Sequence, residues 1–306
     1  MSIPDYQSLM LPLLEFAKDA KDHTISEAVE AIAIGLGLSN EERSEMLPSG
    51  GQRKLFNRVS WARTYMVKAA LLEPFGRGRF RITTRGIDAL LAKPTKINVD
   101  FLNQYPEFVE FRIGARSRSA GAADVGETNG SASEQTPQEL LEISYQSLHR
   151  QLAQELLDKI STASPSFFEK LVVDLLVAMG YGGSRKDAGQ AIGRSGDDGI
   201  DGIIKEDRLG LDAIYIQAKR WKATVGRPEV QSFAGSLEGQ RARKGVFITT
   251  SQFSAEAREY VNRIEKKIIL IDGEQLANLS IEFAMGVAPV ISYKIQRIDL
   301  DYFEEE

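Results

Sequence analysis

The chain predicts a mixed α/β sandwich in its C-terminal half, preceded by a small helical domain that ends in a β-hairpin. Three observations carry this. Residues 164–286 alternate helix-like and strand-like segments in the order α-β-β-α-β-α-β, which builds a sheet with helices packed on it. Residues 115–137 are rich in Gly, Ala, Ser and Thr with one branched apolar residue, Val125, too little to bury a core. Ahead of them, apolar residues recur at helical spacing and then alternate around glycines.

Composition narrows the chemistry. With 306 residues, 42% hydrophobic and 26% charged, the chain has the make-up of a soluble globular protein of one to three domains. It has no cysteine, so disulfides, thiolate metal sites and a cysteine nucleophile are excluded, which suits a cytoplasmic protein. His23 and His149 are its two histidines, so a histidine-rich metal site is excluded. No apolar run is long enough to span a membrane, and the first residues lack a signal pattern. Net charge is -5, yet between Arg43 and Arg85 ten basic residues face only Glu45 and Glu73. Such a cluster is a footprint for a polyanion, or else a solvated basic face.

In chain order, Tyr6 to Lys18 is amphipathic, and Ile25 to Gly35 reads as a helix capped by Thr24 or Ser26. Ser39-Asn40-Glu41-Glu42 resembles a further helix start, and Ser60 to Leu72 is a third or fourth helix. Trp61 and Tyr65 on it read as core. Leu71 to Thr83 reads as strand, glycine turn, strand, with Arg79 and Arg81 on one face and Phe80 and Ile82 on the other. A short helix, Thr84 to Leu91, closes the unit. Helices plus a two-stranded wing make a winged helix-turn-helix, whose recognition helix enters the major groove. Its expected DNA contacts are Arg53, Lys54, Arg58, Arg63, Arg77, Arg79 and Arg81. The expected boundaries are 1–112 for this domain, 113–137 for a flexible linker, 138–163 for a connecting helix and 164–306 for the second domain.

In the second domain, Ser164 or Ser166 caps a helix over Phe167 to Met179, stopped by Gly180-Tyr181-Gly182-Gly183. Strands Ile200–Ile204 and Ala213–Ala218 flank a polar loop, Lys205 to Asp212, suited to a hairpin. Helices over Pro228–Gln240, Ser254–Lys266 and Glu274–Phe283 alternate with strands at Lys244–Thr250 and Ile268–Ile271. Thr249-Thr250-Ser251 reads as capping before Ala255, with a DNA-facing role as the alternative.

The chemistry concentrates at Gly196-Asp197-Asp198-Gly199-Ile200-Asp201-Gly202 and Gln217-Ala218-Lys219. Side chains alternate along a strand, so Gln217 and Lys219 share one face, while Ile214, Ile216 and Ala218 take the other. A hairpin sets Asp201 beside them. A hard-cation ligand next to a fixed positive charge is what phosphodiester hydrolysis needs. Asp197 and Asp198 read first as turn residues. Arg220, Lys222 and Arg227, just past the strand, suit phosphate contacts, and Trp221 reads as packing.

This motif in this order of elements resembles the Mrr-type branch of the restriction-endonuclease-like (PD-(D/E)XK) superfamily, in which Gln replaces the usual second acid. Leu176–Gly183, Gly196–Gly202, Tyr215–Trp221, Val225–Pro228 and Gly245–Thr250 carry the resemblance, which covers most of the chain outside the linker. It implies an Mg²⁺-dependent endonuclease that cuts methylated double-stranded DNA to restrict foreign DNA. Asp201 would bind metal, and Gln217 would ligate it or position a water. Lys219 would stabilise the transition state, and Glu169, on the helix from Phe167, would ligate metal or hold Lys219. Cutting both strands implies a homo-oligomer. The alternatives are a repair or recombination nuclease of the same fold, or a DNA-binding regulator with an inert nuclease domain.

Overall fold

The computed structural model describes residues 2–75, 78–119, 134–182, 199–206, 212–296, 298 and 302. It forms two compact units, Met1–Gln146 with Arg297–Glu306, and Ser147–Gln296.

The first unit opens with α1 (Met10–Phe16), a 3₁₀ turn at Ala17–Asp19, β1 (His23–Thr24) and α2 (Ile25–Gly35). A capping box starts α2: the Thr24 hydroxyl accepts from the Glu27 N–H while the Glu27 carboxylate accepts from the Thr24 N–H. Ser39 and Glu42 do the same for α3 (Asn40–Ser44). Helix α4 spans Lys54–Lys68, so it begins six residues earlier than the apolar spacing of Trp61 and Tyr65 suggests. The reason is Leu55 and Val59, which are buried with Ala62 and Met66 along one face of the helix.

β2 (Leu72–Phe75) and β3 (Arg79–Ile82) form the wing, and β1 adds a third strand in the order β1-β3-β2. Phe80 and Ile82 are buried and Arg79 exposed, as the alternation requires. α5 (Thr84–Leu91) follows. Two helices were not foreseen: α6 (Val99–Leu102) and α7 (Pro106–Ser119). α7 brings Phe108 against the core and runs into the segment expected to be linker; residues 120–133 lie outside the described ones.

The long helix α8 (Pro137–Thr162) begins in the first unit and ends in the second. Its start is a capping box, in which the Thr136 hydroxyl accepts from the Glu139 N–H and Glu139 Oε2 accepts from the Thr136 N–H.

The second unit is a three-layer sandwich around a four-stranded sheet of order β4-β5-β6-β7. β4 (Gly202–Lys205) pairs antiparallel with β5 (Ala213–Lys219). β6 (Lys244–Thr249) and β7 (Lys267–Ile271) continue in parallel. α10 (Arg227–Gly239) connects β5 to β6, and α11 (Ala255–Arg263) connects β6 to β7. These two helices cover one face, where Val230, Phe233 and Ala257 cluster with Phe247 of β6 and Phe253. The other face is covered by α9 (Pro165–Ala178), the end of α8 and α12 (Gly273–Glu282), which pack on Ile204, Ile214, Ile216, Val246 and Ile248.

Candidate active site

The hairpin register brings the acidic and basic residues together. Gly202 pairs with Ile216, so Asp201, one residue beyond the last rung, lies opposite Gln217 as the ladder continues. Two hydrogen bonds fix it there. The Asp201 N–H donates to the Ile216 carbonyl at 2.9 Å, and Asp201 Oδ2 accepts from the Ala218 N–H at 2.7 Å. The carboxylate thus substitutes for a backbone acceptor at the end of β5, midway between Gln217 and Lys219.

Ile214, Ile216 and Ala218 point into the α9–α12 face, which leaves Gln217 and Lys219 on the face of Phe247 and α10. Gln217 is 6% exposed. A Cβ at Gly199 would stand 3.1 Å from Gln217 Nε2, and Gly199 has φ +89°, so glycine there allows both the turn and the close approach of the amide. The Gln217 side chain is thus nearly buried at the end of the hairpin, beside Gly199. A carboxylate and an amide oxygen are hard donors. They suit an ion such as Mg²⁺, which is held by few protein ligands and keeps several waters. No group of three His, Cys, Asp or Glu suited to a metal exists among the described residues.

Glu169 lies on α9. α9 packs Phe168, Val172 and Val173 against the Ile214, Ile216 and Ala218 side of the sheet, opposite the face of Gln217 and Lys219. No contact joins Glu169 to Asp201, Gln217 or Lys219 among the described residues. Asp197 and Asp198 lie outside those residues.

Past Lys219, the Arg220 guanidinium turns away and donates to the Ser161 carbonyl at 2.9 Å, with its Nε buried and unpartnered. Arg227 lies 5.4 Å from the Tyr260 ring. Trp221, expected to pack, is 41% exposed. Lys222 lines a groove of about 860 Å³ with His149, Arg150, Thr250, Ser251 and Glu274. The three hydroxyls of Thr249, Thr250 and Ser251 do not cap the next helix; Ser254 does. They bind the chain leaving β5 instead, a role missed in the sequence because it depends on the β5–β6 pairing.

In the first unit five of the ten basic residues of the cluster are paired with acids among the described residues. Arg43 pairs with Glu30, Lys54 with Glu45, Arg81 with Glu73 and Arg85 with Glu107. Arg58 was expected to meet DNA but is an internal strut. Its Nε donates to Glu139 Oε1 at 2.8 Å, and Nη1 donates to the carbonyls of Ile3 and Pro4. Its side chain is 12% exposed. Beside it, buried Asn57 receives the Thr136 hydroxyl and donates to Gln138. Glu142 accepts from both the N–H and the hydroxyl of Ser49. The start of α8 therefore covers the N-terminal half of α4. Arg63 is half-buried, 5.6 Å from the Phe80 ring, and burial pushes its guanidinium below the usual arginine range. Arg53, Lys68 and Arg79 remain exposed, and Arg77 lies outside the described residues.

A restriction endonuclease family model matches residues 160–280, and an Mrr N-terminal domain model matches residues 6–92. The chain is 36% identical over 308 residues, 99% of its own length and 100% of the relative's, to the type IV methyl-directed restriction enzyme EcoKMrr of Escherichia coli (strain K12). Among solved structures, MspJI restriction endonuclease in complex with a 27-mer oligonucleotide matches with TM-score 0.27 at 18% identity, over 66% of this chain and 47% of that one. The DNA modification-dependent restriction endonuclease AspBHI matches with TM-score 0.34 at 17% identity, over 71% and 56%.

Proposed function

We propose, from the premise that the chain belongs to the Mrr restriction endonuclease family, that it hydrolyses phosphodiester bonds of methylated double-stranded DNA with Mg²⁺. The observation that carries this is the Asp201 carboxylate held on the Ala218 N–H between Gln217 and Lys219.

Asp201 and Gln217 would hold the cation. One hydrogen bond to Asp201 leaves lone pairs on both of its oxygens for a ligand. When bound, Mg²⁺ supplies Lewis-acid polarisation of the phosphoryl oxygen and lowers the pKa of water. Lys219 places a fixed positive charge where negative charge grows on phosphorus oxygens, and Gln217, neutral, orients without adding to the site's negative charge. One preorganised donor of this kind is worth about 10²–10³ in rate. Glu169, on α9, would ligate the metal or hold Lys219.

Arg53, Lys68 and Arg79 would contact phosphates from the first unit, and Lys222 would do so in the second. The relative's name includes methyl-directed restriction, and this supports a methylated substrate here. Cutting both strands requires two copies of the site, so we propose a homo-oligomer. No helix among the described residues is long and apolar enough to cross a membrane, and we place the enzyme with its DNA in the cytoplasm.

Matched methylated and unmethylated plasmids, incubated with Mg²⁺ and either wild type or Lys219→Ala, test the reading. Cleavage of the methylated plasmid alone, lost in the variant, is the expected result. Equal cleavage of both plasmids would remove the methyl dependence, and binding without cleavage that survives chelation would make the protein a DNA-binding module.

A further inference from the structure

β6 ends in three consecutive hydroxyl residues, and each turns its hydroxyl onto the backbone of the chain leaving β5. Thr249 Oγ1 donates to the Lys219 carbonyl at 2.8 Å, Thr250 Oγ1 to the Trp221 carbonyl at 2.9 Å, and Ser251 Oγ to the Lys222 carbonyl at 3.4 Å. Thr249 is fully buried and Thr250 nearly so. Lys219 pairs with Thr249 as the last rung between the two strands. Beyond that rung the Trp221 and Lys222 carbonyls take hydroxyl donors, while the Thr249 hydroxyl adds to the backbone donors on the Lys219 carbonyl.

The Lys219 carbonyl also accepts the Trp221 N–H at 3.0 Å and the Thr250 N–H at 3.4 Å. From the β4 side, the Gln217–Ala218 peptide is held by Asp201 on the Ala218 N–H. The backbone that carries the Lys219 side chain is therefore gripped from both neighbouring strands. The lysine side chain is long and flexible, with four methylenes, so the fixed point that aims its ammonium is the Cα. A misplacement of about 1 Å at a reacting centre costs on the order of 10²-fold in rate.

We propose that Thr249 is a positioning residue for Lys219, its buried hydroxyl setting the Lys219 backbone and hence where the ammonium meets the phosphate. This rests on the catalytic reading of Lys219 given above.

The test uses the full-length protein with Mg²⁺ and methylated plasmid, comparing wild type, Thr249→Val, Thr249→Ser, Lys219→Ala and the Lys219→Ala/Thr249→Val double variant. Thr249→Val keeps the shape and removes the hydroxyl. Its single-turnover cleavage rate is expected to fall about 10- to 100-fold, with half-saturating DNA concentration unchanged. Thr249→Ser restores the rate to near wild type. In the double variant the valine adds no loss beyond Lys219→Ala, because residues acting as one unit are non-additive. Wild-type rates in Thr249→Val, a loss that adds fully to that of Lys219→Ala, or a serine variant as slow as the valine would each overturn the proposal. Should Thr249→Val fail to fold by circular dichroism, Thr249→Ala replaces it, and serine must still exceed alanine. Lys219→Ala alone reports on the catalytic reading. Full activity there refutes that reading, whatever Thr249 does.

Discussion

Asp201 Oδ2 accepts the Ala218 N–H at 2.7 Å, so the carboxylate proposed to hold metal also completes the end of strand β5. The two duties separate by substitution. Asp201→Asn keeps an acceptor for Ala218 and loses the charge, whereas Asp201→Ala loses both. Both variants should lose Mg²⁺-dependent cleavage. Only the alanine should also lower the melting temperature, by the equivalent of about 1–3 kcal/mol for an unsatisfied donor and a lost charged hydrogen bond. Equal melting temperatures in the two would show that the bond contributes nothing.

Gln217 supplies a neutral donor where a second carboxylate would bind metal more strongly. Gln217→Glu is expected to lower the Mg²⁺ concentration giving half-maximal cleavage severalfold. Without metal it sets two carboxylates side by side and should lower the melting temperature. A magnesium titration of both cleavage and thermal stability checks the two directions together. An unchanged magnesium requirement would place the cation away from Gln217.

Arg58 and Arg53 lie five residues apart and should behave oppositely. Arg58→Ala strands the buried Glu139 and should cost about 3–5 kcal/mol in the first unit. Arg53→Ala and Arg79→Ala, both exposed, should leave the melting temperature alone. Each should weaken DNA binding and reduce the slope of log affinity against log salt by about 1. A stable Arg58→Ala with weakened DNA binding would restore it to the DNA face.

Gly273 opens α12 beneath the end of β6. A Cβ there would stand 2.5 Å from the Thr250 carbonyl oxygen, a backbone atom that cannot move without shifting the strand end. Gly273→Ala should destabilise the second unit by about 1–3 kcal/mol, measured by urea unfolding. Because Thr250 steadies the turn after Lys219, cleavage should slow as well.

Arg85 forms two bonds of 3.0 Å to Glu107 and holds its carboxyl below the ordinary value of 4.5. A depressed folded pKa stabilises above 4.5, and that contribution is lost as pH falls through the lower folded value. Both groups face solvent, so the effect is small and screened by salt. In Arg85→Gln the Glu107 titration, followed by NMR, should move up toward 4.5. Any difference in melting temperature from wild type should vanish in acid. An identical titration in both proteins would contradict the pairing.

Much of the second unit was legible in the sequence. The alternation in Ala213–Lys219 fixes which side chains enter the core, and period two admits one arrangement once Ile214, Ile216 and Ala218 are buried. Gln217 and Lys219 follow on the opposite face. The wing was legible for the same reason, with Phe80 and Ile82 inside and Arg79 out. Thr24 and Ser39 mark helix starts through glutamates three residues on, a purely local signal.

The basic cluster shows where local reading ends. By sequence the stretch from Arg43 to Arg85 looks unopposed, but the acids that neutralise Arg58 and Arg85, Glu139 and Glu107, come from helices 81 and 22 residues further along. The sequence by itself determined the strand faces and the capped starts of α2 and α3, because these depend on residue spacing. Tertiary structure decided that Arg58 is a buried strut and that Thr249 grips the Lys219 backbone. Charge pairing and carbonyl satisfaction act through space, between segments whose separation along the chain carries no record of their contact.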